Sequence, residues 1–153
     1  MKHIQKLIFP LILLFGMEIL WANYAFYKQV TNTCKSYRIE AQDGEIYFGK
    51  DEKTKDKFYL TVNSNRNNFE MAMIVGFVSV GQAVRHQRSM VQKKIIEKSV
   101  EPKTVHVTVN VPVTRDNMVI TASATSDQVV QLAVGKIDSA EFMRLIKNSM
   151  VTL

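Results

Sequence analysis

Residues 104–113, Thr-Val-His-Val-Thr-Val-Asn-Val-Pro-Val, alternate without a break. Val105, Val107, Val109, Val111 and Val113 fall on one side, and Thr104, His106, Thr108, Asn110 and Pro112 on the other. A period of two over this length predicts a strand with one face in a core and the other open. Pro112 has no N–H to give to a ladder, which places it at the strand's end or on an edge. A polar turn at 114–117 then returns the chain along 118–125 as a partner strand. Upstream, 58–62 (Phe-Tyr-Leu-Thr-Val) predicts another strand. Asp43-Gly44 between two β-prone runs predicts a hairpin with strands at 37–41 and 45–49. The segment from Ala22 to about Lys35 shows no firm pattern.

The pattern changes period in the middle of the chain. In Met71–Val84, Ala72, Gly76, Ser79 and Ala83 recur at helical spacing and form one stripe of small residues. Met73, Ile74, Phe77, Val78 and Val80 cover the other sides, as a helix enclosed on most faces requires. No Pro or Gly intervenes between Val84 and Pro102, so the helix is expected to run from about 68 to 98. Two short helices should close the chain. One starts near Ser126-Asp127 and stops at Gly135; the other starts at Asp138, with Glu141 three residues on as in a capping box. Together these elements predict an α+β fold, an antiparallel sheet of about five strands packed against one long central helix and short C-terminal helices.

The first 22 residues stand apart. Lys2 and Lys6 precede an unbroken apolar run from Leu7 to Met17, and Leu20-Trp21-Ala22 has the form of a cleavage site. Eleven apolar residues are too few to span a bilayer, and Glu18 interrupts a longer run to Phe26. Residues 1–22 are therefore expected to be a signal peptide that directs export to the periplasm or medium, with a retained anchor through 7–26 as the alternative. Residues 23–153 are expected to form one small domain. The balance of 46% hydrophobic and 22% charged residues is that of a globular chain. Cys34 is the only cysteine, which rules out an internal disulfide.

Candidate chemistry is sparse. Gly76–Gly81 has the glycine spacing of a phosphate loop, but Gln82 and Ala83 stand where lysine and a hydroxyl residue are required. Gly135, Ile137, Asp138 and Glu141 follow the second half of a calcium loop, yet Val130, Leu132 and Val134 occupy the positions of its first side-chain oxygens. The same stretch is similar to the Gly-Ile and Glu-Phe pattern of the short C-terminal oligomerisation module of bacterial proteins known as SHOCT. The lysine-rich finish of that module is missing, and no function is carried over. His86 and His106 lack a second ligand at metal spacing, so neither catalytic residues nor cofactors are assigned.

Two surfaces remain. Arg85, Arg88, Lys93, Lys94 and Lys98 make the end of the long helix basic, in a chain of net charge +6. Basic residues there are favourable with the helix dipole, and the same charges suit an acidic partner or an anionic membrane. Nucleic acid is disfavoured, because export removes the usual targets and no aromatics interleave with the charges. The second surface is the polar strand face of His106, Thr108 and Asn110, with Thr121 and Ser123 opposite. The expected role is a small exported, non-catalytic accessory or binding module of a bacterial-type envelope that contacts a protein or membrane surface. The alternatives are an integral membrane component with short spans near 7–26 and 71–84, and an enzyme whose site only the fold assembles. Oligomeric state is left open.

Overall fold

The computed structural model describes residues 22–65, 68–112 and 117–153. Residues 1–21 of the export or anchor segment, and the turn at 113–116 with Val113, lie outside the described residues. The fold is α+β, with five strands in the order β1-β2-β3-β4-β5. Its core joins Phe58, Leu60 and Val62 of β2 (Lys57–Asn63), Val105–Val111 of β3 (Thr104–Pro112) and Ile120–Ala124 of β4 (Asn117–Thr125) to the buried residues of four helices. The alternation along 104–112 therefore does what its period predicts, and Pro112 is the last residue of its strand.

Three of the four pairings are antiparallel, and β2 with β3 is parallel. The reason is the connection: the chain leaves β2 through helix α2 (Phe69–Gln92) and comes back beside it. A helical crossover of that kind delivers the next strand in the same direction, whereas a short turn reverses it. The fifth strand is not a hairpin arm near 37–41. It is β5 (Val151–Thr152), at the far edge, against Ile120 and Thr121.

Asp43-Gly44 does not turn the chain. Both residues lie inside β1 (Glu40–Phe48), where the register against β2 shifts between Ala41 and Ile46. With a following strand that already reverses at residues 49–56, the extra residues are absorbed as a bulge, which glycine at φ 80° permits.

Residues 22–36 form helix α1. Ala22, Phe26, Val30 and Cys34 recur every fourth residue along one side, and all four are buried. Ala25 and Tyr27 pack beside the stripe, but most of the remaining neighbours are polar, which leaves the helical pattern weak in the sequence. Burial pushes the Cys34 thiol above its ordinary pKa, against a weaker opposing hydrogen bond from Ser79, so it is an inert packed thiol.

The same closure ends α1, α2 and α3 (Ser126–Ala133). In α2 the Lys94 N–H bonds the Val91 carbonyl at 3.0 Å and the Ile95 N–H bonds the Met90 carbonyl at 2.9 Å. In α1 Arg38 and Ile39 bond Lys35 and Cys34 likewise, and in α3 Gly135 and Lys136 bond Leu132 and Gln131. The residue after the cap must then be left-handed, a conformation usually given to glycine. Here Arg38 (φ 58°) and Lys94 (φ 57°) adopt it. This is why the long helix stops at Gln92 rather than near 98: the stop signal is a lysine. Lys94→Gly should remove the left-handed penalty and raise stability by about 0.5–1 kcal/mol, net of the greater unfolded-state entropy of glycine. Thermal melting of the purified variant checks this, and a lower midpoint would contradict it.

Helix α4 (Ser139–Ile146) starts at Asp138, whose carboxylate accepts from the Glu141 N–H at 2.8 Å. The reciprocal capping box forms instead at α3, between Thr125 and Gln128.

Within α2 the small residues set two close approaches. A Cβ on Gly76 would lie 2.7 Å from Val107 Cγ1 of the sheet, and one on Gly81 would lie 2.2 Å from the Val129 carbonyl oxygen of α3. Residues 71–84, one of the two proposed spans, are thus the middle of a helix held between sheet and α3. No helix among the described residues is long and apolar enough to cross a membrane.

Candidate functional site

The five basic residues do not form one surface of free charges. Arg88 is committed to the fold: its Nε and Nη2 donate to both oxygens of Glu101 at 2.9–3.2 Å, and Asp127 of α3 lies 3.8 Å away. The hydrogen bond to Glu101 holds the guanidinium pKa above its ordinary value. Burial alone would lift the Glu101 carboxyl, but the bonds from Arg88 and Ser99 and the Arg88 charge outweigh it and hold that pKa low. This pair ties α2 to the segment before β3. Arg85 donates to Gln82 one turn back, at 3.3 Å.

Lys93, Lys94 and Lys98 are exposed in the turns that follow α2, with no ion-pair partner among the described residues. The left-handed backbone at Lys94 turns the chain sharply and leaves Ile95 outside, 56% exposed. Its neighbour Ile96 turns inward and is buried with Met90 and Ala22. This places the lysine-flanked isoleucine at the end of the molecule where the chain enters α1. Tyr24, 62% exposed on the first turn of α1, has the Lys28 ammonium 5.8 Å above its ring.

A glutamine holds that end together. Gln87 is fully buried; its Nε2 donates to the Ala22 carbonyl at 2.6 Å, and its Oε1 accepts from the Val100 N–H at 3.2 Å. Beside it lies a crevice of about 630 Å³ lined by Ala22, Tyr27, Phe48, Ile96 and Val100, with Lys55, Glu97, Lys98 and Glu101 at its polar margin. Lys55 pairs with Glu52, and Glu101 with Arg88. The charged groups left there, Glu97 and Lys98, are sequence neighbours.

The chain matches no family model, no curated protein and no solved structure. The site must therefore be argued from its own geometry.

The polar strand face is brought together as the alternation predicts. His106 lies opposite Ser123, and Thr108 opposite Thr121 with their hydroxyls 3.1 Å apart. Asn110 donates to Gln42 of β1 at 2.9 Å. Sequence reading missed the aromatic row beside them. Tyr47, Tyr59 and His106 stack across β1, β2 and β3, with centroids 5.1 and 4.9 Å apart. The register Tyr47↔Tyr59↔His106 creates that row, and register is what the separate strand patterns leave open. Burial, with the Lys57 charge as a smaller cause, pushes the His106 pKa below its ordinary value, so the imidazole is neutral at pH 7. Its Nε2 is buried with no partner among the described residues. Among those residues no three His, Cys, Asp or Glu side chains converge to hold a metal.

Proposed function

We propose that this chain is a non-catalytic envelope module that works at a membrane surface, meeting anionic headgroups with Lys93, Lys94 and Lys98. The observation that carries the reading is Ile95, held out in solvent between those lysines. An exposed isoleucine flanked in sequence by Lys93, Lys94 and Lys98 suits the boundary between headgroups and acyl chains. Each such lysine adds about 1 kcal/mol of attraction to an anionic surface, screened by salt within roughly a Debye length.

The test compares the protein on vesicles of phosphatidylglycerol with phosphatidylcholine against vesicles of phosphatidylcholine alone. Lys93, Lys94 and Lys98 should be protected from an amine-reactive label on the anionic vesicles only, and high salt should restore labelling. Lys93→Glu with Lys94→Glu should abolish the difference, expressed as a loss of at least tenfold in affinity for anionic over neutral vesicles. Equal labelling on both vesicle types would overturn the reading. Arg88→Glu is no test of lipid contact, because it breaks the Glu101 pair; it should lower the melting temperature instead.

A second reading rests on the Tyr47–Tyr59–His106 row. An open sheet face with aromatic rings beside hydroxyl and amide groups suits a protein or glycan partner. Tyr59→Ala would impair partner binding in that case and leave vesicle labelling unchanged.

A further inference from the structure

We propose that His106 is an acid-operated latch on the open face of the sheet: neutral, it closes the Tyr47–Tyr59–His106 row; protonated, it leaves the row and bares the Tyr59 ring. The inference does not depend on lipid contact. The imidazole stacks on Tyr59 with ring centroids 4.9 Å apart and planes 11° from parallel. Its Nε2 is the one buried side-chain nitrogen or oxygen left without a hydrogen-bond partner among the described residues. A neutral imidazole can keep that nitrogen as a bare lone pair, with its single N–H on Nδ1. An imidazolium cannot, because both ring nitrogens then donate. Protonation therefore sets a charged N–H in a buried place without an acceptor, which is costly for any fold to hold.

The surroundings add to that cost. His106 of β3 lies between Tyr59 of β2 and Ser123 of β4. Lys57, two residues before Tyr59 on the same side of β2, is the charge that acts on it, and the sign is the same. Ser123 is neutral, and the turn that meets it through the Ser149 hydroxyl brings a further cation, Lys147, rather than a counter-ion. Glu45 is on β1, two strands away, and no carboxylate pairs with His106 among the described residues. The attraction of a cation for the Tyr59 ring face works the other way, but the ring gives the buried N–H no lone pair. The exit is open. The buried apolar residues of the four helices join the valine side of the sheet or the Ala22–Met90–Ile96 cluster, and among the described residues no helix packs on the His106 side. Rotation about its side-chain bonds carries the imidazolium into water and takes away the ring that covers Tyr59.

Burial and the Lys57 charge lower the folded pKa below the ordinary 6.5, so the unfolded chain takes up the proton first. The stabilisation is present above pH 6.5 and is lost as the pH falls from there through the folded value. The experiment is an NMR titration of the full chain, labelled at histidine and tyrosine, from about pH 8 to about pH 5. The imidazole resonance that disappears in His106→Phe should titrate below pH 6.5. The Tyr59 ring signals should shift with the same midpoint, while those of Tyr24 on α1 stay fixed. His106→Phe keeps a ring in the row without the proton, so between about pH 7 and about pH 5 its melting temperature should fall by at least ~2 °C less than that of the parent. Lys57→Gln, which leaves all three rings in place, should raise the His106 and Tyr59 midpoints together. The latch is overturned by a His106 that titrates at or above pH 6.5, by Tyr59 signals that do not move with it, or by midpoints that separate in Lys57→Gln. The same pH dependence of melting in the parent and in His106→Phe would overturn it as well.

Discussion

Phe26→Ala should destabilise the fold by about 3–5 kcal/mol, the range for truncating a fully buried aromatic, and should lower the melting temperature by roughly 10 °C or more. Phe26 is fully buried, with its ring centroid 5.3 Å from Phe48 and 5.1 Å from Phe58. Phe48 and Phe58 are themselves 5.0 Å apart, so the three rings close on one another across β1, β2 and α1. Truncation removes the nearer of the two α1 rings on this cluster; Tyr27 lies farther off, 6.0 and 6.1 Å from Phe48 and Phe58. The backbone has little freedom to collapse into the gap, since the Phe48 N–H donates to the Tyr27 hydroxyl at 3.3 Å on the next residue of α1. Chemical denaturation of the full chain measures the loss. A midpoint close to that of the parent would mean that α1 is a peripheral helix and not part of the core.

Gly81→Ala should cost about 3 kcal/mol, the upper part of the range for overpacking, although only one methyl is added. That methyl would lie 2.2 Å from the Val129 carbonyl oxygen and 2.7 Å from the Ala133 Cβ. Neither is the free end of a flexible side chain, so relief requires α3 to move away from α2. Gly76→Ala gives the comparison. Its methyl meets Val107 Cγ1 at 2.7 Å, a side-chain atom rather than backbone, and about 1–2 kcal/mol is expected. Melting temperatures of the two variants should therefore differ in a fixed order, Gly81→Ala the lower. The opposite order would contradict the packing of α3 described above.

The elements that could be read from residues alone are those whose pattern is decided locally. Val105 to Val111 state a half-buried strand in any context, and Ala72, Gly76, Ser79 and Ala83 state a helix that something approaches closely. The misread elements are those decided by partners. Asp43-Gly44 is a turn or a bulge according to whether the flanking runs pair with each other or with Phe58–Asn63, and the latter pairing wins. Arg38 and Lys94 stop helices without looking like stops, because their left-handed backbone is bought by hydrogen bonds that no residue type announces. The basic cluster was visible as composition, but the pairing of Arg88 with Glu101, thirteen positions away, was not. That pairing separates a cation used by the fold from the lysines left outside it.

The bulge in β1 matters beyond the strand that contains it. β1 is one outer edge of the sheet, and the other is only the two residues of β5, extended by Ser149, whose hydroxyl accepts from the Ser123 N–H at 3.0 Å. Open strand edges are where copies of a protein join by adding strand to strand. Here one edge is broken by an irregular register and carries Glu40, Asp43 and Glu45, which repel the same edge of a neighbour. The other is too short to template a partner. Among the described residues, neither edge offers a long, regular strand that a second copy could extend.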